Sequence, residues 1–316
     1  LIIKNEYIKV HEFEISGNYV NGIRGEKKKY TDFLKNSNFD IYFFYAAQQW
    51  SFDLALPIIK SFNKKICFVP CGFSRLNNFF YKRYFDFLFN EITNINSVIF
   101  HSKYYQDYIV CKDKKIKNLS IITNGANTCL SKDQKKNNDI LIISEIKFNK
   151  GLDRSLLALL MSDVSNNNLK IYSQKKPHAL NFYFLLINFL AFLLKLKKIN
   201  TTLAYGFDEK YFKNERFKFR IFLFGSRLEC SPLVLYESAA SGLPFVSFKS
   251  GNSEEIAKKT GAGITVDSII EMTKVINKLF YDKKLNRKLS NAGLKNSLKF
   301  TWEKIANKYI QIFRSI

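Results

Sequence analysis

The stretch SRLECSPLVLYESAASGLP, residues 226–244, lies between two apolar runs, IFLFG at 221–225 and FVSF at 245–248. Each apolar run is typical of a buried strand. Between them, Ser231 is a favourable N-cap and Pro232 suits the first position of a helix, so the spacing predicts that a helix begins there. The Gly-Leu-Pro at the end of the stretch stops that helix, because glycine favours the left-handed C-cap and proline cannot continue a helix. The stretch therefore predicts a strand–helix–strand unit of a parallel sheet.

Two glutamates occupy different parts of this unit. Glu229 falls in the loop after the first strand, and Glu237 falls within the helix. Open parallel sheets bind ligands at the carboxyl ends of their strands, and the free N–H groups of a helix start attract phosphate. A carboxylate accepts hydrogen bonds from vicinal hydroxyls such as those of ribose. The pattern predicts a ligand that contains phosphates, a ribose and a sugar.

The two glutamates and the small-residue run SAASGLP after them resemble the signature of a glycosyltransferase family. This is the retaining group-1, family-4 kind, which has the two-domain GT-B fold. The resemblance implies that Glu237 holds the ribose of a nucleotide-sugar donor and that Glu229 acts on the donor sugar during catalysis. It also implies that backbone N–H groups near Cys230, Ser231 and Leu233 bind the donor phosphates. The alternative is a surface loop followed by an exposed helical glutamate.

Length and charge limit the possible classes of protein. The chain has 316 residues, which is typical of two domains, and 47% of them are hydrophobic. Lys and Arg number 50 against 27 acidic residues, and the resulting net charge of +23 attracts polyanions. Nucleotide phosphates, an anionic membrane surface and nucleic acid are the candidates, and a surface of solvated lysines is the alternative. Because the charges are scattered and no nucleic-acid-binding motif accompanies them, we predict no nucleic-acid partner.

Cysteine and histidine lack the spacing of a metal site. Three histidines lie far apart, and the five cysteines, at 67, 71, 111, 129 and 230, form no C-x-x-C pair. Such cysteine usage favours a reducing compartment and argues against zinc. We therefore predict a cytoplasmic protein with no metal and no cofactor besides its nucleotide-sugar substrate. Peripheral attachment to the cytoplasmic face of a membrane stays open as an alternative, because the chain is basic. No signal peptide is visible, and the missing initial Met raises the expectation that the sequence starts inside a longer chain.

Residues 1–133 alternate apolar runs with helical patterns. They predict a Rossmann-like, doubly wound α/β domain, which the resemblance assigns to the acceptor. Residues 8–15 alternate apolar and polar side chains like a strand. The segments FDI at 39–41 and IITNGAN at 121–127 extend the resemblance. The family's opening strand, Gly-rich loop and helix have no counterpart, so this domain is predicted to lack about one βαβ unit.

Two positions in the first domain depart from the family pattern. Tyr45 and Cys71 stand where the family often carries histidine. We favour a structural role for both side chains, and no catalytic residue is assigned in this domain.

Residues 134–300 predict a second Rossmann-like domain, which the resemblance assigns to the donor. A polar linker at 131–138 precedes it. The strand at 139–144 leads into EIKFNKGLD at 145–153, which resembles the family loop in which Arg and Lys grip the diphosphate. Lys150 matches the family's lysine and is predicted to stabilise the leaving diphosphate.

The arginine of that loop is missing. Ser144 and Glu145 replace the family's Gly-Arg pair. Lys147 is the candidate that would replace the lost phosphate contact.

Three further segments complete the domain plan. The apolar run at 182–196 is shorter than a membrane span and is followed by lysines, so it either packs on the sheet or lies on a membrane surface. Residues 207–217 predict a short polar helix before the strand at 221–225. Residues 301–316 resemble the family's terminal helix, which crosses back to the first domain.

These observations predict a glycosyltransferase that moves a sugar from a nucleotide-sugar donor to a glycan or lipid-linked acceptor. The resemblance implies retention of anomeric configuration and no metal requirement. Two alternatives stay open, a hydrolysing nucleotide-sugar epimerase on the same fold and a non-catalytic nucleotide-sugar-binding module.

Overall fold

The computed structural model describes residues 2–3, 6–61, 64–127, 137–206 and 215–316. The chain divides into two compact units, one formed by residues 1–122 with 308–316 and the other by residues 123–307. Two predicted segments fall largely outside the described residues: the linker, of which 131–136 are not described, and the polar helix, of which 207–214 are not described.

The first unit contains a four-stranded parallel sheet of order β5-β6-β7-β8, with two short antiparallel strand pairs before it. Its strands are β1 (Ile2–Ile3), β2 (Glu6–Tyr7), β3 (Ile15–Asn18), β4 (Gly22–Gly25), β5 (Ile41–Tyr45), β6 (Lys65–Val69), β7 (Ser97–Phe100) and β8 (Leu119–Ile121). Its helices are α1 (Lys27–Asn36), α2 (Trp50–Ala55), α3 (Lys82–Glu91) and α4 (Gln106–Asp113). Their apolar side chains meet in an aromatic core, in which the Phe52 and Phe68 rings stack with centroids 3.8 Å apart.

The predicted strand at 8–15 is wrong except at its last residue. Residues 8–14 form no strand. Ile8 and Val10 are 45% and 58% exposed, whereas Phe13 and Ile15 pack against the core of the first unit, so only the end of the alternating pattern faces a core. The hairpin β3–β4 forms instead in the glycine-rich segment that follows. Gly17 has a φ of 91°, and a Cβ on it would meet the Gly22 carbonyl oxygen at 2.0 Å, so the close pairing of the two strands requires glycine there.

The second unit contains a six-stranded parallel sheet of order β11-β10-β9-β12-β13-β14. Its strands are β9 (Ile140–Ile143), β10 (Asn167–Ser173), β11 (Ile199–Tyr205), β12 (Ile221–Phe224), β13 (Phe245–Phe248) and β14 (Gly263–Val266). The helices, numbered on along the chain, are α5 (Leu152–Met161), α6 (Phe182–Leu196), α7 (Leu233–Ala240), α8 (Ser253–Thr260), α9 (Ile269–Tyr281), α10 (Lys283–Ser297) and α11 (Trp302–Ser315). The strand order is that of a doubly wound Rossmann fold, as predicted, and it reverses between β9 and β12.

The decisive strand–helix–strand unit is β12–α7–β13, and its helix begins one residue later than predicted. Pro232, with φ −68° and ψ 111°, is the N-cap, and Leu233 is the first helical residue. Ser231 does not cap the helix through its side chain. Its carbonyl oxygen instead accepts a hydrogen bond from Asn124 Nδ2 at 3.0 Å. The helix ends as predicted, because Gly242 has a left-handed φ of 61°.

Helix α11 contributes to both units in turn. Ile305 is buried beside Gly125 of the second unit, where a Cβ on the glycine would meet Ile305 Cγ1 at 2.9 Å. The last turns belong to the first unit, where the Tyr309 and Phe313 rings lie 5.7 and 5.3 Å from the ring of Phe43 on β5.

Candidate functional site

The predicted donor site of the second unit is a cavity at the point where its strand order reverses. Ligands of open parallel sheets bind at this point, outside the carboxyl ends of the strands. The cavity measures about 500 Å³ and is lined by residues from the ends of β9, β10 and β12 and from the start of α7: Ile143, Ser144, Glu145, Lys150, Tyr172, Ser173, Gln174, Phe224, Glu229, Ser231, Pro232, Leu233 and Val234.

Two glycines bring the loops after β9 and β12 into contact. Gly151 has a left-handed φ of 59°, and a Cβ on it would lie 2.0 Å from the carbonyl oxygen of Gly225. Next to this contact, the backbone N–H groups of Arg227 and Leu228 both donate to the carbonyl oxygen of Asn149, at 2.9 and 3.3 Å. The two loops therefore form one wall, although their residues are about seventy positions apart in sequence.

Lys150 and Glu229, the two predicted catalytic residues, form an ion pair across these loops. Lys150 Nζ lies 2.7 Å from Glu229 Oε1, and their side chains are 29% and 14% exposed. Ser226 Oγ donates to the same carboxylate oxygen at 2.8 Å. A charge-assisted hydrogen bond of this kind fixes both side chains at the edge of the cavity. The arrangement presents a cation and a carboxylate together to any ligand that fills it.

A second ion pair in the same wall was not identified from the sequence. Arg227 binds Asp153 with both guanidinium nitrogens, at 2.8 and 2.6 Å, and its guanidinium lies 4.1 Å from the Phe148 ring centroid. Tyr183 OH donates to Asp153 at 2.7 Å. Burial raises the pKa of Asp153, but the hydrogen bonds from Arg227 and Tyr183 outweigh that effect and leave the pKa lowered. The pair stiffens the loop that carries Lys150.

Glu237 and Lys147, two of the predicted donor-binding residues, lie outside the cavity lining. Glu237 Oε2 is 2.8 Å from Arg216 Nη2, and Arg216 is buried with 5% exposure. Lys147 is exposed and lies 2.8 Å from the carboxylate of Glu145, which does line the cavity. Lys147 therefore neutralises the acidic residue that stands where the family has arginine.

The remaining predicted residues lie at the start of α7. Ser231 and Leu233 line the cavity. Cys230 does not, and its carbonyl oxygen accepts a hydrogen bond from Asn252 N at 3.0 Å. Gly251 permits this contact, because a Cβ there would lie 2.4 Å from the same oxygen. The turn before α8 thus holds the loop that leads into α7.

The first unit brings three polar side chains together at the carboxyl edge of its sheet. Tyr45 ends β5, Cys71 follows β6 and His101 follows β7. His101 Nε2 lies 3.3 Å from Tyr45 OH and 3.8 Å from Cys71 Sγ. His101 Nδ1 lies 3.0 Å from the Ile122 carbonyl oxygen, so Nδ1 carries the proton and Nε2 accepts. Sequence reasoning noted Tyr45 and Cys71 separately and did not place them beside this histidine.

Burial disfavours the charged forms of two members of this cluster. It lowers the pKa of His101 and raises the pKa of the Cys71 thiol to about 11. Near neutral pH these two side chains are therefore a neutral imidazole and a thiol.

Among the described residues, no group of three or more His, Cys, Asp or Glu side chains is placed to hold a metal ion. No helix within the described ranges is long and apolar enough to cross a membrane.

Comparison with known proteins agrees with the predicted resemblance. Residues 189–296, about a third of the chain, match the family model of group 1 glycosyl transferases. This match contains Glu229 and Glu237 and begins after Lys150. It confirms the predicted resemblance and bears out the prediction of a glycosyltransferase. No curated protein matches the sequence.

Solved structures share the fold at low sequence identity. Sucrose-phosphate synthase from Thermosynechococcus elongatus aligns with a TM-score of 0.76 and 16% identity over 92% of this chain and 76% of that one. HepE from Anabaena, in complex with UDP, aligns with a TM-score of 0.75 and 14% identity over 92% and 82%. A glycosyltransferase from Rickettsia africae aligns with a TM-score of 0.70 and 18% identity over 92% and 80%. These likenesses confirm the predicted GT-B fold.

Proposed function

We propose that this protein transfers a sugar from a nucleotide-sugar donor to a glycan or lipid-linked acceptor, with retention of configuration and without a metal. The observation that carries the proposal is the Lys150–Glu229 ion pair at the edge of a cavity of about 500 Å³, at the strand-order reversal of a Rossmann-type sheet. A cavity of this volume is large enough for a nucleotide-sized ligand.

Three groups at the cavity have roles in the proposed reaction. Lys150 neutralises the charge that develops on the departing diphosphate. Glu229, held by Lys150 and Ser226, accepts hydrogen bonds from the donor sugar. The N–H groups at the start of α7, near Ser231 and Leu233, and the positive end of the helix dipole attract the phosphates.

Glu237 is proposed to bind the ribose, with Arg216 fixing its orientation. The buried guanidinium holds one carboxylate oxygen at 2.8 Å. A carboxylate has two oxygens with about four acceptor positions, so it can keep this contact and accept from a ribose hydroxyl as well.

Anabaena HepE has been solved in complex with UDP, with UDP and glucose, and with UDP-glucose. A uridine diphosphate sugar is therefore the first donor to test. Calorimetric titration with UDP, GDP, ADP and their sugar conjugates tests the donor site directly. We expect selective binding of one base, and we expect Glu237→Ala to weaken it by about tenfold to a hundredfold, as for the loss of a charged hydrogen bond.

Glu254→Ala is the matched control, because Glu254 is an exposed glutamate near the start of α8. Equal losses in both variants, or no binding by folded wild-type protein, would contradict the proposed donor site. Turnover that persists with a chelator present would support the proposed independence of metal.

One observation favours the alternative of a non-catalytic nucleotide-sugar-binding module. Glu145, an acidic side chain, lines the cavity at the position where the family has a phosphate-binding arginine. A binding module predicts tight donor binding without nucleotide release, whatever acceptor is supplied. An epimerase predicts nucleotide release without any acceptor, whereas a transferase releases nucleotide rapidly only when an acceptor is present.

A further inference from the structure

Helix α6 in the second unit exposes an apolar stripe along its outer face. The stripe comprises aromatic and aliphatic side chains that are 42–89% exposed: Leu180 just before the helix, then Phe182, Leu185, Leu186, Phe189, Phe192 and Leu196. Apolar patches of this extent on a protein surface usually mark an interaction site.

The opposite face of α6 is firmly packed. Phe184, Ile187, Leu190 and Leu194 are buried in the core of the second unit. Asn181 caps the helix by accepting from the Phe184 N–H at 3.0 Å. The orientation of the helix is therefore fixed, and packing against the sheet accounts for only one of its two apolar faces.

The other end of α6 is also anchored. Lys197 Nζ donates to the carbonyl oxygens of Leu159 and Leu160 at 3.1 and 2.8 Å, and to that of Ser162. Lys197 is thus a structural lysine. The stripe on the outer face cannot turn inward without breaking these contacts.

The segment that carries the stripe is basic, and the exposed Asp163 lies at its edge near Lys197. Residues 164–207 contain six lysines and no aspartate or glutamate. Four of these lysines are exposed and flank the stripe at both ends: Lys175, Lys176, Lys195 and Lys198. Within the described part of the chain, none of these four lysines takes part in an ion pair.

We propose that α6 docks flat on an anionic phospholipid bilayer. Its 15 residues extend about 22 Å, whereas the hydrocarbon core is roughly 30 Å thick, so the helix lies in the interface and does not cross it. The Phe and Leu side chains enter the boundary between headgroups and acyl chains, and the flanking lysines bind lipid phosphates.

A second copy of this chain fits the same stripe less well. Phe182, Phe189 and Leu196 recur every seven residues, as do Leu185 and Phe192, so the spacing alone would suit a helix pair. Two copies would, however, bring together two faces whose own segments, residues 164–207, contain lysines and no acidic residue. The charge therefore favours anionic lipid.

The start of α6 touches the loop that carries Lys150. The Tyr183 ring lies 6.0 Å from that of Phe148, and its hydroxyl binds Asp153. Docking would therefore hold this loop of the donor cavity near the lipid surface. The idea that the docked protein uses a lipid-linked acceptor rests on the proposed function. The docking itself does not.

Co-sedimentation with lipid vesicles tests the docking. We compare vesicles of phosphatidylcholine alone with vesicles of phosphatidylcholine and phosphatidylglycerol in equal parts. We expect the wild-type chain to bind the anionic vesicles, and the double variant Phe182→Ser/Phe189→Ser to lower the partition coefficient by at least about tenfold. Both residues are more than half exposed, so circular dichroism should show an unchanged fold.

The matched control is Phe79→Ser/Phe80→Ser, which removes two phenylalanines that are 83% and 78% exposed on the first unit. It should leave vesicle binding unchanged. Retained binding by the α6 variant, or an equal loss in both variants, would overturn the proposal.

A charge variant tests the electrostatic half of the proposal. Lys175→Glu/Lys176→Glu should weaken binding to anionic vesicles more than Lys283→Glu/Lys284→Glu, which changes the net charge equally on exposed lysines elsewhere. Equal effects would mean that overall charge alone attracts the protein, which overturns the proposed surface.

Two further measurements separate the remaining explanations. A dimer seen by analytical ultracentrifugation, and dissociated by the α6 variant, would overturn the proposal in favour of a second copy. Calorimetry with UDP on the same variants reports on the donor site alone. Vesicle binding lost with nucleotide binding intact supports docking, whereas failure of UDP to bind any variant bears only on the proposed function.

Discussion

Lys150 is the single side chain on which the proposed chemistry depends most. Its ammonium pairs with Glu229 at 2.7 Å beside the cavity, where a diphosphate would depart. Lys150→Ala should lower kcat by about a hundredfold to a thousandfold, the usual effect of losing one group that stabilises charge in a transition state. The donor affinity should change less. Steady-state kinetics would check this, with Lys274→Ala, an exposed lysine of α9, as the control; an unchanged kcat would remove Lys150 from the mechanism.

Asp107 should give the first unit a dependence of stability on pH. Burial raises the pKa of this carboxyl to about 6, although it accepts the Gly72 N–H at 2.9 Å. Because the folded-state pKa exceeds the unfolded value near 4, the folded state binds the extra proton. The free energy of unfolding should therefore fall as pH rises from about 4 to 6, by up to a few kcal/mol.

Asp107→Asn should reduce that pH dependence while keeping an acceptor for the Gly72 N–H. The part that remains is expected from Asp53, whose pKa is also raised by burial. Urea unfolding of the wild type and the variant between these pH values measures the difference. If the free energy of unfolding changes with pH equally in both proteins, Asp107 is not the titrating group.

The close contact of the loops after β9 and β12 depends on Gly151. A Cβ there would lie 2.0 Å from the Gly225 carbonyl oxygen, in a backbone with φ 59°. Gly151→Ala should therefore destabilise the second unit by about 2–4 kcal/mol and weaken donor binding, because the wall that carries Lys150 and Glu229 must open. Gly206→Ala is the control, since Gly206 has a similar φ of 71° and nothing within 4 Å of a Cβ.

The control Gly206→Ala should lower the free energy of unfolding by only about 1 kcal/mol, which is the strain of an alanine in the left-handed conformation. It should leave donor affinity unchanged. Thermal unfolding and UDP calorimetry on both variants provide the comparison. Equal effects would mean that backbone strain, and not the contact with Gly225, sets the geometry of this wall.

Elements with a strong local signal could be predicted from the sequence. The apolar runs of β9, β12 and β13 are buried on both faces, and the Gly-x-Pro after α7 ends that helix as expected. The prediction at 8–15 failed because apolar alternation alone does not supply a partner strand: Phe13 packs on the core of the first unit, yet residues 8–14 belong to no strand. The start of α7 was displaced by one residue because Pro232, which has no N–H to contribute, serves as the N-cap.

Contacts between distant segments could not be predicted in this way. Arg227 and Asp153 are 74 positions apart, and no pattern in either segment refers to the other. The Tyr45–Cys71–His101 cluster depends on the order of three strands, which apolar runs alone do not determine. The Lys150–Glu229 pair was anticipated only as two separate residues.

Division into two units gives a prediction for the whole molecule. The cavity is lined by residues of the second unit, whereas the Tyr45–Cys71–His101 cluster belongs to the first. Hydrogen exchange measured by mass spectrometry with saturating UDP should therefore slow in peptides that cover 144–151 and 225–236. Peptides of the first unit that contain β5–β8 should exchange unchanged, because none of the residues that line the cavity belongs to that unit.

Protection confined to the first unit would contradict this prediction and move the nucleotide site to the histidine cluster. Glu237→Ala distinguishes the two cases, because it should remove protection of the loops in the second unit while leaving exchange in the first unit as it was. Protection that survives the substitution would show that the phosphates, bound at the start of α7, hold the nucleotide without the ribose contact. The roles proposed for Glu237 and for the helix start are thereby separated in one experiment on the intact chain.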